Sequence, residues 1–295
     1  MDLSKGKGVK NHIMFTSLIN ASELANIFAL NTTVLIDCRT TLGDPEGGRT
    51  AYKDGHIPNA LFAHLEEDLS GEIITGSTGR HPFPSIENFA STCNRWGIDA
   101  SKQVVVYDQG HGGIAARLWF MLKWLGHKNV AVLNGGWQNW VAQKYPTEQT
   151  IKVPTPAVFL PRPNQKSLVD INFIAENFAN SAYLLVDSRS AERYRGEQEP
   201  IDPVAGHIPK AASAPFLENL GSDGLFLAED KLKERFDHLL KGQALEDTIF
   251  YCGSGVTACH NLLALHSIGR ENAKLFPGSW SEWITDRQRP IAVTR

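Results

Sequence analysis

The chain repeats itself, and this repeat constrains its fold more than any other feature of the sequence. Four blocks of the first half return in the second half in the same order: 34–39 as 184–189, 55–58 as 206–209, 106–108 as 250–252, and 135–140 as 277–283. The second block reads Gly-His-Ile-Pro in both copies. Chance similarity does not preserve order and spacing over several blocks. We therefore predict a duplicated domain.

Each copy alternates short aliphatic runs with longer stretches of helical periodicity. This alternation predicts an α/β fold, in which each domain is a parallel β-sheet flanked by helices. The expected strands are 34–36, 104–107, 130–133, 184–186, 248–251 and 273–276, and the expected helices include 115–125, 231–240 and 258–267. We expect an N-terminal domain at 12–145, a proline-rich linker at 146–166 and a C-terminal domain at 167–290. In such sheets the functional site lies at the carboxyl ends of the strands.

Composition and charge argue against several classes of function. The net charge is −3 and no lysine or arginine block occurs, so nucleic acid is not an expected partner. No apolar run approaches the ~20 residues that span a bilayer, so no membrane partner is expected. The four cysteines include no Cys-x-x-Cys pair, which argues against a disulfide framework and a zinc site. We expect a cytoplasmic protein with no metal and no organic cofactor.

The repeat separates chemistry from architecture, because a difference at matched positions indicates what one copy does alone. Cys252 is matched by Asp108 in the first copy, which makes Cys252 the candidate nucleophile. It begins a loop between a strand and a helix, and two glycines allow this loop to curve with positive φ. Inward-facing backbone N–H groups and the positive helix end then favour a thiolate. The loop consists of Cys252, Gly253, Ser254, Gly255, Val256 and Thr257, the last as a helix cap.

Other residues are interpreted on the same basis. Asp187 and Arg189 recur as Asp37 and Arg39, which favours a structural ion pair, although Arg189 stays a candidate substrate-binding residue. Arg193 does not recur; its guanidinium is suited to a donor carboxylate or sulfonate, and the alternative is a solvated surface residue. The residues expected to be structural or inert are His56, His207, Trp137, Trp140, Trp280, Trp283, Cys38, Cys93 and Cys259.

With these motifs the sequence resembles the tandem-domain sulfurtransferases, the family of rhodanese and 3-mercaptopyruvate sulfurtransferase. The matching motifs are Asp-x-Arg followed by Gly-His-Ile-Pro in both halves, Gly-x-Trp-x-x-Trp near both domain ends, and the loop segment 252–260. The resemblance implies two rhodanese-like domains, the N-terminal one inactive because it has Asp108. It implies that Cys252 attacks the donor and carries its sulfur as a persulfide, which the loop N–H groups stabilise. The implied acceptors are cyanide, a small thiol or a thioredoxin-like protein.

The loop sequence also bears on the sulfur donor. Cys-Gly-Ser-Gly-Val-Thr is the mercaptopyruvate form of the family loop, and the thiosulfate form has Arg and Lys in place of Gly253 and Ser254. The resemblance therefore implies 3-mercaptopyruvate as donor, with Ser254 bonded to its ketone and Arg193 to its carboxylate. Thiosulfate and a non-catalytic persulfide carrier remain alternatives. A cysteine phosphatase is disfavoured, because Cys-x5-Arg would need an arginine where Ala258 stands.

Three departures from the family pattern bear on the site. A second substrate arginine, expected shortly before the second Gly-His-Ile-Pro, is missing from 199–205, and Arg195 is the candidate substitute. The family's Asp-Ile-Asp reads His-Leu-Glu at 64–66, which leaves open whether Glu66 orients Ser254 through a histidine. His81 matches the N-domain histidine that reaches the family's site. It is a candidate for substrate binding or catalysis. The alternative is that it has no role in the site.

Overall fold

Two parallel β-sheets, one in each half of the chain, organise the computed structural model, which describes residues 14–41 and 43–294. The first sheet has the order β1-β5-β4-β2-β3. Its strands are β1 (Leu18–Ile19), β2 (Thr33–Asp37), β3 (Leu61–Phe62), β4 (Gln103–Tyr107) and β5 (Val130–Leu133). The central strand β4 is buried along its whole length, as a continuous apolar run in a parallel sheet predicts. The domain boundary expected at residue 12 lies outside the described residues.

Helices flank this sheet and follow its strands in the chain. They are α1 (Ala21–Leu24), α2 (Gly47–Asp54), α3 (Ile86–Arg95), α4 (Gly113–Trp124) and α5 (Gly136–Ala142). The helix α3 begins at a side-chain cap, because the Ser85 hydroxyl accepts the N–H of Asn88 at 3.1 Å. The helix α4 starts two residues before the expected 115 and is buried on nearly all sides. A helix of this kind belongs inside the molecule rather than on its surface.

The second half repeats the arrangement with a shorter sheet of order β7-β6-β8-β9. Its strands are β6 (Leu184–Asp187), β7 (Ala212–Ser213), β8 (Thr248–Tyr251) and β9 (Lys274–Leu275). A parallel bridge between Leu168 and Leu275 stands where β1 pairs with β5 in the first sheet. The helices are α6 (Ile171–Asn177), α7 (Ala191–Arg195), α8 (Glu229–Leu240), α9 (Ala258–Ser267) and α10 (Ser279–Trp283), with 3-10 turns at Phe216–Asn219 and Leu245–Asp247. The predicted α/β fold with two parallel sheets is confirmed.

The residues of the repeated sequence blocks make the same contacts in both domains. Arg39 binds Asp37 at 2.7 Å and the Gly55 carbonyl at 2.6 Å. Arg189 makes the same pair of contacts in the second copy, at 2.6 Å each, with Asp187 and the Gly206 carbonyl. Both guanidinium groups lie over a tryptophan ring, and both Gly-His-Ile-Pro histidines stack on a tyrosine; these rings are Trp137, Trp280, Tyr52 and Tyr194. The repeated residues build the common architecture, as their repetition predicted.

The segment 146–166 contains no helix or strand and runs along the first domain. Its backbone N–H groups at Ala157 and Arg162 donate to the carbonyls of Asn94 and Leu125. Beyond the linker, the two domains share one hydrophobic core, to which α4 contributes Leu118 and α9 contributes Leu262. The loop before α9 therefore lies against the N-terminal domain. Among the described residues, no helix combines the length and apolarity needed to cross a bilayer.

Candidate active site

Cys252 lies at the carboxyl end of β8, in the loop that leads into α9. The residue is only 1% exposed, and its N–H donates to the Ser279 hydroxyl at 3.1 Å. The same hydroxyl donates to the Phe276 carbonyl at 2.9 Å. Ser279 holds a left-handed conformation with φ of +56°, which a residue with a side chain adopts at a cost. The start of the loop is thus fixed from the segment that follows β9.

The tight curvature of the loop depends on Gly255. Its φ is +72°, and a Cβ built there would lie 2.2 Å from the Pro277 carbonyl oxygen. No other residue fits this position without displacing the backbone. Thr257 occupies the N-cap position of α9, but its side chain makes no capping hydrogen bond. The expected threonine cap is therefore wrong, because Thr257 already has the helical φ and ψ of −72° and −13°.

Six consecutive backbone N–H groups of the loop, from residue 253 to residue 258, face no acceptor among the residues that the structure describes. Within the described part of the chain, none of them donates to a backbone or side-chain oxygen. The residues that carry them are buried apart from Thr257, which is partly buried. A buried N–H without a partner costs about 1–3 kcal/mol. The loop is therefore suited to an anion, and the buried Cys252 thiol stands at its start.

The matched loop of the first domain contains such an anion. The Asp108 carboxylate accepts the N–H groups of Gly110, Gly112, Ile114 and Ala115 at 2.9 to 3.3 Å. Asp108 follows β4 as Cys252 follows β8, and it is 2% exposed. In this loop the protein's own side chain satisfies the N–H groups. The comparison shows directly that a strand-to-helix loop of this type binds a negative charge.

Two arginines lie over the Cys252 loop at Gly253. A Cβ built on Gly253 would lie 2.9 Å from Nη2 of Arg80 and 3.4 Å from Nη2 of Arg193. Arg80 comes from the first domain and Arg193 from α7 in the second. Asp202 joins them, since it accepts from Arg80 Nε at 2.8 Å and from Arg193 Nη2 at 3.0 Å. The shared carboxylate holds both cations beside the loop, with further N–H groups left for a ligand.

The other two arginines expected to bind substrate lie elsewhere. Arg189 is 2% exposed and donates its hydrogen bonds to Asp187, the Gly206 carbonyl and Glu199. Glu199 in turn accepts from Arg193 Nε at 3.0 Å. Arg189 therefore supports Arg193 through a carboxylate and has no free face for a donor. The structure does not bring Arg195 to the loop either: its exposed guanidinium is bound to Glu197 at 2.8 Å.

His81 reaches the loop from the first domain. Its Nδ1 lies 2.8 Å from the Ser254 hydroxyl, so the two side chains share a hydrogen bond. Its Nε2 lies 3.8 Å from the Glu66 carboxylate, which is too far for a direct hydrogen bond. Burial, together with the nearby cations of Arg117 and Arg80, lowers the pKa of His81 to about 3. The imidazole is therefore neutral at pH 7 and orients Ser254 without carrying a charge.

The remaining cysteines lack the surroundings of Cys252. Cys38 and Cys93 are buried in the first domain, and burial raises the pKa of both thiols well above the ordinary value. Cys259 lies inside α9, where burial raises its thiol pKa and its sulfur donates to the Gly255 carbonyl at 3.5 Å. A thiol with a raised pKa is a weak nucleophile at neutral pH. These positions agree with the inert role expected for all three.

Sequence reasoning missed two arginines of the first domain that contact this region. The only signal for Arg80 in the sequence was its position next to His81. Arg117 is fully buried in α4 and donates to the carbonyls of Ser254 and Gly255 at 3.4 and 3.1 Å. A lone arginine within the apolar stretch 114–122 was a usable signal, because arginine is rarely fully buried.

A metal ion has one candidate side-chain cluster within residues 14–41 and 43–294. Glu46, His64 and Glu67 have ligand atoms within 4.8 Å of one another. Both carboxylates are exposed, and His64 Nε2 already lies 2.9 Å from the Pro45 carbonyl. None of the three contacts Cys252 or its loop, so this cluster does not define the site.

Comparison with known proteins agrees with the fold. A family model for the rhodanese-like domain matches residues 20–143 and again 172–286. A probable 3-mercaptopyruvate sulfurtransferase of Pseudomonas aeruginosa is 44% identical over 94% of this chain and 98% of its own length. A rat thiosulfate sulfurtransferase is 35% identical over 80% of each chain. The crystal structure of the Escherichia coli 3-mercaptopyruvate enzyme SseA matches with a TM-score of 0.77 at 30% identity, covering 91% of this chain and all of that one.

These similarities cover both halves of the chain. The chain belongs to the sulfurtransferases built from two rhodanese-like domains. The fold class and the family expected from the sequence are confirmed.

Proposed function

We propose that the protein transfers sulfur from 3-mercaptopyruvate to a thiophilic acceptor through a persulfide on Cys252. The observation that carries this proposal is the buried loop of N–H groups without acceptors, which begins at the Cys252 thiol. A thiolate, and then a persulfide, supplies the negative charge that Asp108 supplies in the matched loop. In this account the N-terminal domain, 12–145, is catalytically silent and the C-terminal domain, 167–290, carries the nucleophile.

The charges around Gly253 favour a particular donor. Arg80 and Arg193 provide two cations, and Glu199 and Asp202 provide two carboxylates, so these charges balance. Without an excess of positive charge, the site suits a monocarboxylate better than a dianion. The guanidinium N–H groups that are not bound to these carboxylates bind the carboxylate of 3-mercaptopyruvate. Thiosulfate remains the alternative donor, because relatives with 35% identity are named thiosulfate sulfurtransferases.

The chemical step is a displacement at the donor's sulfur. The Cys252 thiolate attacks that sulfur, a sulfur–sulfur bond forms, and the carbon–sulfur bond of the donor breaks. Its electron pair passes into the enolate of pyruvate, which takes the proton released by the donor's thiol at its terminal carbon and leaves as pyruvate. The outer sulfur stays on Cys252 as a persulfide, stabilised by the N–H groups of Gly253, Gly255, Val256 and Thr257.

Ser254 and His81 act on the ketone end of the donor. The proposed step uses the neutral imidazole of His81 in the tautomer with its proton on Nδ1, which donates to the Ser254 oxygen. The Ser254 hydroxyl is then free to donate to the ketone oxygen. Negative charge grows on this oxygen as the carbon–sulfur bond breaks, so the hydrogen bond strengthens in the transition state. The Glu66 carboxylate lies 3.8 Å from His81 Nε2, too far for a direct hydrogen bond, and it takes no part in this step.

The second half-reaction returns Cys252 to its thiolate. A thiol, cyanide or a reduced thioredoxin-like protein attacks the outer sulfur, the sulfur–sulfur bond breaks, and the acceptor leaves with that sulfur. These acceptors are part of the proposal, and a cytoplasmic location stays a prediction from the sequence.

One assay with two readouts tests the function. The purified protein is incubated with 3-mercaptopyruvate or thiosulfate, and intact mass and released pyruvate or thiocyanate are measured with and without cyanide. We expect one added sulfur atom on Cys252 and pyruvate release with 3-mercaptopyruvate. Cys252→Ser removes both signals, while the matched control Cys259→Ser, in the first turn of α9, keeps them.

The outcomes separate the alternatives. No added sulfur with either donor contradicts a sulfurtransferase. A persulfide that forms but is never passed to cyanide or thiols supports the non-catalytic carrier. Faster turnover with thiosulfate than with 3-mercaptopyruvate supports the alternative donor.

A further inference from the structure

Arg117 joins the N-terminal domain to the Cys252 loop from inside the protein. It is the single charged residue among the buried residues of α4, and it is 0% exposed. Its guanidinium lies 4.7 Å from the ring centroid of Phe83. All its hydrogen bonds go to backbone carbonyls, which belong to Leu69, His81, Pro82, Ser254 and Gly255.

No carboxylate in the described part of the chain neutralises this cation. Among residues 14–41 and 43–294, no Asp or Glu oxygen lies within 4.0 Å of the Arg117 guanidinium. Burial lowers the pKa of Arg117 to about 10, while the thiols of Cys259 and Cys252 act in the opposite direction. The side chain therefore stays charged at neutral pH. A buried charge without a counterion destabilises a fold, so its presence here calls for a partner that becomes negative during function.

The contacts with Ser254 and Gly255 also set the direction of the loop's N–H groups. In a trans peptide the C=O and the following N–H point to opposite sides. Arg117 holds the Ser254 and Gly255 carbonyls on its own side. The N–H groups of Gly255 and Val256 are thereby turned away from Arg117. One side chain thus fixes two of the N–H groups that have no protein acceptor.

The duplicate does not repeat this cation. Position 117 in α4 corresponds to Asn261 in α9, at the same offset that relates Asp108 to Cys252. Asn261 is neutral and donates to the Ser188 hydroxyl and the Ala214 carbonyl, each at 2.9 Å. The loop that contains its own carboxylate therefore has no buried arginine at its carbonyls from the matched position. The loop that contains a thiol has one.

We propose that Arg117 is a positioning residue that keeps the Cys252 loop in its anion-binding form and stabilises the thiolate and persulfide. This rests on the proposed function, since it assigns a further residue to the same site. It means that the catalytically silent domain supplies part of the electrostatics of the reaction. The other charged or titratable groups around the loop are Arg80, Arg193, Glu199, Asp202, His81, Glu66 and Cys259.

The test measures the thiolate rather than sulfur transfer. The rate at which iodoacetamide alkylates Cys252 is followed against pH by peptide mass spectrometry, in the wild type and in Arg117→Met. A cation near a thiol lowers its pKa, so we expect the alkylation pKa to rise by about one unit, with about tenfold slower alkylation below that pKa. Arg235→Met, which removes another largely buried arginine from α8, serves as the matched control and leaves the profile unchanged.

A second variant keeps the test decisive if Arg117→Met does not fold. Arg117→Lys retains the charge but loses the planar fork that binds several carbonyls, and we expect a smaller rise in pKa together with slower persulfide formation. A folded Arg117→Met with the wild-type alkylation profile overturns the proposal, as does Arg117→Lys with wild-type alkylation and persulfide formation. Failure of the wild type to accept sulfur counts against the proposed function and leaves this pKa comparison intact.

Discussion

The two strand-to-helix loops of the molecule have the same position in their domains but opposite contents. At Asp108 the carboxylate satisfies four backbone N–H groups within 3.3 Å, so the first loop is closed by its own residue. At the matched position stands Cys252, and the N–H groups of its loop have no oxygen acceptor among the described residues. The two loops therefore differ in whether the protein itself supplies a negative group to the N–H groups. The first loop has one, and in our proposal the second receives its negative charge from the thiolate and the persulfide of Cys252.

The first domain has nonetheless kept a part in the site. Its residues Arg80, His81 and Arg117 contact the second loop at its glycine, its serine and its carbonyls respectively. The domain that has Asp108 in place of a cysteine thus supplies three side chains to the loop of the other domain. Each of the following variants alters one loop, or a residue that contacts it, and leaves the other loop unchanged for comparison.

The largest effect is expected from making the second loop resemble the first. Cys252→Asp abolishes sulfur transfer, by about 10⁴-fold or more, because the nucleophile is gone. Its carboxylate should accept the loop's N–H groups, so we expect it to be about 1–2 kcal/mol more stable than Cys252→Ser. Urea unfolding of both variants measures this difference. Equal stability would mean that the second loop does not bind anions as the first one does.

Opening the first loop is the converse change. Asp108→Ala leaves four N–H groups without their acceptor, and we expect a loss of about 2–4 kcal/mol in the free energy of unfolding. Asp108→Asn keeps one acceptor oxygen and should lose less. Chemical denaturation gives both values, with alkylation of Cys252 as the control for an intact second loop. A neutral effect of Asp108→Ala would show that the carboxylate does not stabilise the loop.

The arginines over Gly253 should affect donor binding. Arg193→Ala and Arg80→Ala each remove a charge-assisted contact of about 1.5–3 kcal/mol, which corresponds to a rise of about ten- to a hundredfold in the KM for 3-mercaptopyruvate. Steady-state kinetics of pyruvate release measure it. Arg195→Ala is the matched control from the same helix and should leave KM within about twofold. An effect of Arg195→Ala as large as that of Arg80→Ala would refute the placement of both residues.

The smallest effect concerns pH. Because the pKa of His81 is lowered to about 3, the imidazole is already neutral at pH 5 and does not titrate between pH 5 and 8. The ratio of kcat for wild type and His81→Gln should therefore be constant over this range, with the variant slower by about tenfold as a weakened orienting contact. Parallel pH–rate profiles decide the point. Convergence of the two profiles below pH 6.5 would mean that neutral His81 is lost on protonation there.

The sequence predicted well those features that depend on short stretches of chain. The repeat located both sheets, and the exchange of Asp108 for Cys252 singled out one loop, since both inferences depend on short stretches of chain. The sequence could not predict contacts between residues far apart in the chain. Arg80, for example, binds Asp202, which lies 122 positions later. The choice of Arg195 failed for a geometric reason, because residues two apart on α7 point to different sides of the helix. The buried cation Arg117 was visible as a lone charge in an apolar stretch, but its target lay in the other domain.

The central claim is that the open N–H groups of the second loop hold the transferred sulfur. A crystal structure of the protein after exposure to 3-mercaptopyruvate, without an acceptor, tests this most directly. The account predicts one additional sulfur atom bonded to Cys252 Sγ, within hydrogen-bonding distance of N–H groups from the segment 253–258, with the Asp108 loop unchanged. Additional sulfur on a different cysteine, or on Cys252 but turned away from these N–H groups, would contradict it.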